Sequence, residues 1–93
     1  MNTNNVISLE HSVILHVENA IIDVLSNRGG KWVGEFVLYN AGDRVSIPNL
    51  NVGDVIRQMQ KDGTIEKSYQ TVTDKMDRTV QLPLYRLTPT FGL

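Results

Sequence analysis

Apolar residues recur at three- and four-residue steps along two stretches of the chain, and two extended runs follow them. In the first stretch, Leu9, Val13, Ile14, Val17, Ala20, Ile21, Val24 and Leu25 form a broad stripe with the period of a helix face. The spacing predicts a helix over 9–27. Ser8 stands at its capping position and Glu10 in its first turn, where the helix dipole favours an anion. Asn27-Arg28-Gly29-Gly30 follows, and glycines past a periodic run close helices. Residues 1–8 are polar for the most part and read as a flexible lead.

The second periodic stretch is Asn51 to Gly63. Val52, Val55, Ile56 and Met59 fall within a sector of about 100° on a helical projection. Asp54, Arg57, Gln58 and Lys61 fall on the other side. A helix is expected over 51–62, with Asn49 or Asn51 as its cap. Lys61 stands in the last turn, and Gly63 can adopt the left-handed conformation that ends a helix.

Between these stretches the pattern is less regular. Lys31-Trp32-Val33 reads as a very short strand, with Trp32 cheapest to place as a wall of the core. A second helix is expected over 33–40, where Val33, Phe36, Val37 and Asn40 share a face, although the valines weaken it against a strand. Asn40 to Leu50, with Gly42, Asp43 and Pro48, reads as a loop in which Val45 and Ile47 either extend or tuck inward.

Two extended runs follow, TIEKSYQTV and TVQLPLYRL. Pairing Ile65 with Leu87 sets Lys67 opposite Tyr85, Tyr69 opposite Pro83 and Thr71 opposite Gln81. A loop from Asp74 to Arg78 remains at the tip, giving a hairpin over 64–88. Pro83 has no N–H for a ladder, so its strand is expected at an edge or bulged there. Residues 89–93, with Pro89 and Gly92, read as a flexible tail into which Phe91 alone brings an apolar anchor.

Residues 9–88 resemble a winged helix-turn-helix domain of the kind found in small bacterial, archaeal and viral regulators. The resemblance rests on Val52, Ile56, Met59, Gly63 and Ile65, and on the ending Leu84-Tyr85-Arg86-Leu87-Thr88, with Tyr85 and Leu87 turned to the core. It implies an α+β fold of three helices followed by a two-stranded hairpin, the wing. The connection before the third helix is longer than the usual turn of that family. By the same resemblance the third helix would enter the DNA major groove and the wing the adjacent minor groove or backbone. Carried onto this chain, Asn51, Asp54, Arg57 and Gln58 become candidate base readers, since their side chains match the donors and acceptors of base edges. Lys61, Arg44, Lys75 and Arg78 become candidate phosphate contacts.

Charge pulls against that expectation. The chain has a net charge of −1 and a pI near 6.0, whereas dedicated DNA binders are usually basic. Asp54 and Arg57, three residues apart, suit a plain surface ion pair. Asp74 and Asp77 flank the two wing-tip cations. A protein-interaction module is therefore the alternative, such as a small viral or mobile-element protein that engages a host protein without DNA. At about 19 residues the first helix exceeds what so small a core needs to cover. Its N-terminal half either packs on the chain's own wing or makes a homodimer, whose DNA target would be two half-sites one helical turn apart.

Other chemistry has little support. His11 and His16 are five apart, about 140° round a helix, unlike the i, i+4 pair of a helical zinc site. GGKWVG lacks the spacing of a phosphate loop, and no serine stands in a nucleophile elbow. The tyrosines do not alternate with cations in a strip that would stack single strands. Neither an enzyme nor a cofactor or metal is expected. No run approaches the roughly 18 apolar residues of a membrane span, and MNTNN is no secretory leader. A chain with no Cys suits an intracellular, cytoplasmic protein.

Overall fold

In the computed structural model, which describes residues 3–89 and the side chains of 11–89, the chain is α+β. The order is α1 (Thr3–Ser26), β1 (Val33–Gly34), α2 (Glu35–Asp43), α3 (Val52–Lys61), β2 (Ile65–Thr73) and β3 (Thr79–Leu87). The three strands form one antiparallel sheet in the order β1-β3-β2.

The predicted stripe on α1 is buried through Val13, Val17, Ile21 and Leu25, one residue per turn on the inward face. The helix begins at Thr3, not at Leu9, so most of the expected lead is the first turns of α1. On α3, the buried residues Val52, Val55, Ile56 and Met59 are those that periodicity assigned to the core. Asn51 caps it: the Asp54 N–H donates to Asn51 Oδ1 at 3.3 Å. Its end is a Schellman closure. Thr64 N–H donates to Met59 O at 3.0 Å and Gly63 N–H to Gln60 O at 3.2 Å, with Gly63 at φ 81. That left-handed residue turns the chain directly into β2.

The second helix departs from expectation. Val33 and Gly34 belong to β1, and α2 runs on to Asp43, taking in residues expected in the loop. Its inward residues are Leu38 and Gly42, a step of four, so Phe36 points outward and is 69% exposed. Pairing Val33 and Gly34 with β3 sets how the chain enters α2, so Val33 is buried from the strand, Val37 sits at the margin of the core and Phe36 is left outside. Ile47 tucks partly against the core while Val45 stays exposed. A turn from Ile47 to Leu50 (Leu50 N–H to Ile47 O, 3.0 Å) carries Pro48 in the second position it favours.

The two-stranded hairpin forms in the predicted register, from Ile65↔Leu87 to Thr73↔Thr79. A third strand joins it through Val33↔Tyr85 and Gly34↔Leu84, so β3 is central at its base. Pro83 is nonetheless tolerated. The bonds at the tip (Asp74 N–H to Arg78 O) and base (Thr88 N–H to Thr64 O) make Tyr69↔Pro83 a non-bonded pair, with the proline nitrogen turned away from β2. On that flank β1 has already ended at Gly34.

Trp32 is not a core wall. It is 38% exposed, because Val33 takes the inward position of β1 and alternation sends Trp32 to the outer face. There the Arg86 guanidinium lies 4.3 Å over its ring, held in turn by Glu66.

The three helices meet at Gly42. A Cβ built there would lie 2.7 Å from Val52 Cγ1 and 3.2 Å from Val17 Cγ1, both on β-branched side chains with little rotamer freedom. Gly42→Ala should therefore destabilise the fold by about 1–3 kcal/mol, although alanine favours an ordinary helix interior; a raised melting midpoint would refute this close crossing. Ile56→Ala, opening a cavity under α3, should cost roughly 2–5 kcal/mol in denaturant unfolding, and an unchanged midpoint would show that Ile56 carries little of the core.

Candidate functional site

With its apolar side fixed in the core, α3 leaves Asn51, Asp54, Arg57, Gln58, Gln60 and Lys61 exposed. Five of the lining residues of an open groove of about 670 Å³ come from this helix: Asp54, Arg57, Gln58, Gln60 and Lys61. The sixth is Lys67 from β2. The groove thus runs from the outward face of α3 across to the foot of the hairpin.

Its polar groups are partly paired. Arg57 donates to Asp54, and both side chains are about two-thirds exposed, at 68% and 65%. A pair so open to water adds little stability, so the ion pair orients the guanidinium more than it anchors the helix. Gln58 Nε2 donates to Asp62 Oδ1 at 2.9 Å. Asn51 spends one side-chain acceptor on the cap. Gly53, in the first turn of α3, is buried because the Tyr39 hydroxyl lies 2.7 Å from where its Cβ would be. A side chain here would have to displace the Tyr39 hydroxyl, so the glycine lets α2 and α3 lie close.

Lys67 was not among the residues the sequence singled out. Its signal is the alternation of β2, which puts Lys67 on the same face as Ile65 and Tyr69 and opposite Tyr85. Its Nζ lies 5.1 Å from the centroid of the Tyr69 ring and 5.7 Å from that of Tyr85, within cation–π range. The Tyr69 phenol, aided by Tyr85, holds the Lys67 ammonium above its ordinary pKa of 10.5. It therefore stays charged at neutral pH. Tyr85 is fixed in its turn: burial first, and then its hydrogen bond to Glu35, push its phenol above the ordinary value. The Tyr85 hydroxyl donates to Glu35 Oε2 at 2.9 Å, tying β3 to the first turn of α2.

The other expected contacts lie apart from the groove. Arg44 follows α2 and borders surface hollows with Ala20, Asp23 and Asn27 of α1 and its end, and with Arg28, Val37 and Asn40. No α3 residue lines those hollows, so Arg44 is not brought to the α3 face. Lys75 and Arg78 sit at the hairpin tip, roughly 30 Å along the strands from Ile65. There Asp74 organises the turn: Oδ1 accepts from the N–H groups of Met76 (2.8 Å) and Arg78 (2.9 Å), and Oδ2 from Arg78 Nε at 2.8 Å. Asp77 takes the left-handed position of the tight loop, φ 59. Arg78 thus serves the turn, and Lys75 is the tip cation without a carboxylate partner among the described residues.

Among the described residues, no group of His, Cys, Asp and Glu side chains is arranged to hold a metal, and no helix is long and apolar enough to cross a membrane. Comparison with protein-family models, curated proteins and solved structures finds no match to this chain.

The Arg78 backbone N–H, together with the Met76 N–H and the Arg78 side chain, holds the Asp74 carboxyl below its ordinary pKa of 3.8. Because the folded value is depressed, the turn's ordering is complete above the unfolded pKa and is lost as pH falls through the folded one. In an NMR titration the Met76 and Arg78 amide protons should shift together, with a shared midpoint below 3.8. Separate midpoints would mean that Asp74 does not organise the turn.

Proposed function

We propose that this chain is a winged helix-turn-helix domain that binds double-stranded DNA sequence-specifically and acts in transcriptional control. The observation that carries the reading is the division of α3. Val52, Val55, Ile56 and Met59 pin one side, while Asp54, Arg57, Gln58 and Lys61 line an open groove continued by Lys67. A short helix held from behind and polar in front suits entry into a major groove. The element order, with a short strand between the first two helices and a hairpin after the third, is compatible with that domain type.

In this reading Arg57 and Gln58 face base edges, with Asn51 at the helix start. Asp54 has two roles, holding the Arg57 guanidinium and repelling nearby phosphates, and the second filters weak sites. Lys61 and Lys67 contact phosphates beside the helix, and Lys75 does so from the tip of the wing. Arg44 and Arg78 are left out, the first by its position and the second by its bond to Asp74.

A protein-interaction module is the second reading, and one feature favours it. Phe36 (69% exposed) and Leu82 (45% exposed) flank a largely apolar groove of about 410 Å³ between the start of α2 and the hairpin. Exposed apolar clusters of this kind mark contact surfaces on many proteins.

The deciding experiment is binding to random-sequence duplex DNA across salt from about 50 to 200 mM, followed by selection of a preferred site. Affinity should fall steeply with salt, and Lys67→Ala should lower the slope of log K against log salt by about 1. Arg57→Ala should cost about 1–3 kcal/mol on the selected site and relax preference at one position. An absence of binding at the low-salt end would reject the DNA reading and leave the apolar groove as the surface to pursue.

A further inference from the structure

α1 is longer than either of the two helices packed against it. Its 24 residues extend about 36 Å, whereas α2 and α3, with 9 and 10 residues, extend only about 14 and 15 Å. The buried positions of α1, from Val13 to Leu25, cover about 18 Å of it. Burial also fades toward the N-terminal end: Ile21 and Val17 are at 0% exposure and Val13 at 8%, and His11 and Ser12 are exposed.

A second apolar face runs beside the core stripe. His11, Ile14, Leu15, Glu18 and Ile22 fall within about 100° of one another on the helix. Leu15 is 46% exposed, and Ile14 and Ile22 are only partly buried at the margin of the core. Ile14 also borders a small groove of about 100 Å³ shared with Ile47, Asn49 and Leu50, so the face continues onto the connection before α3.

We infer that this face pairs with the same face of a second copy of the chain, the two α1 helices running antiparallel about an axis between Ile14 and Leu15. Self-complementarity singles out a second copy as the occupant. In that register each Ile14 meets the other copy's Leu15, and each His11 meets the other copy's Glu18. The imidazole and carboxylate are natural hydrogen-bond partners, and the pairing occurs twice about the axis. Such an isologous interface closes on itself as a dimer. This pairing leaves the α3 groove open and does not depend on what α3 binds.

Sedimentation of the full chain without DNA tests it. The chain should sediment as a concentration-dependent dimer. Leu15→Glu, changing an exposed residue of the single copy, should give a monomer that keeps its helical and sheet signal. Because the chain has no Cys, the double variant His11→Cys, Glu18→Cys gives an independent readout. Those two positions lie about 10.5 Å apart along one helix, too far for a bridge within a copy. Oxidation should yield a covalent dimer. A chain that remains monomeric to about 100 μM, roughly the weak end of useful dimer affinities, overturns the inference. So does a dimer indifferent to Leu15→Glu, or one whose double-Cys form does not cross-link.

Discussion

The crossing of three helices at Gly42 is the constraint on which the rest of the molecule depends. The absence of a side chain there lets Val17 of α1 and Val52 of α3 approach the backbone of α2. Since Val52 is the first residue of α3, the contact fixes where that helix starts. The Asn51 cap then has its backbone geometry, and the inward series Val55, Ile56 and Met59 follows from the helical period. Tyr39, one turn before Gly42 on the neighbouring face of α2, settles the same junction from the other side by occupying the space over Gly53. Two glycines that look like weak points in a helix are thus what lets α3 sit close enough to be held.

From that anchor the order passes to the sheet. Gly63 reverses α3 directly into Ile65, so the hairpin has no slack at its base. Tyr85 then locks the base of the sheet to α2 through Glu35, and Lys67 is positioned by the two tyrosines beside it. The ammonium at the foot of the hairpin is therefore placed by the same core that places α3. The tip is governed separately, by the Asp74 turn, and its cations are correspondingly independent of the groove.

How much of this was legible in the sequence depends on how each signal is encoded. The inward faces of α1 and α3 and the hairpin register could be read directly, because apolar period and strand alternation are local properties of the chain. The phase of α2 could not. Val33, Phe36 and Val37 satisfy a helical face, yet the pairing of Val33 with Tyr85 draws the first of them into a strand and turns the remaining helix. Trp32 was misplaced for the same reason, since β1 has only two residues and its alternation is fixed by a distant partner. Gly42 and Gly53 carried no local sign of their packing role. Within the groove, α3's own residues were visible as a polar face. Lys67 required knowing that β2 returns beside that helix.

The near-neutral charge is the main physical objection to a nucleic-acid role, and its distribution changes its weight. Three anions stand in the first 30 residues, Glu10, Glu18 and Asp23, all on α1, and of these the described side chains of Glu18 and Asp23 do not line the groove. In the groove itself Arg57, Lys61 and Lys67 face one lining carboxylate, Asp54, which Arg57 already engages, with a second, Asp62, beside it on Gln58. Phosphate attraction decays over about 8–10 Å at ordinary ionic strength, so the local balance matters more to a bound phosphate than the sum over the chain. The sum matters at longer range, where a net charge of −1 gives no steering. A domain built this way would depend on contacts made after encounter, chiefly from α3, and so on the close packing of α3 against the core that Gly42 allows.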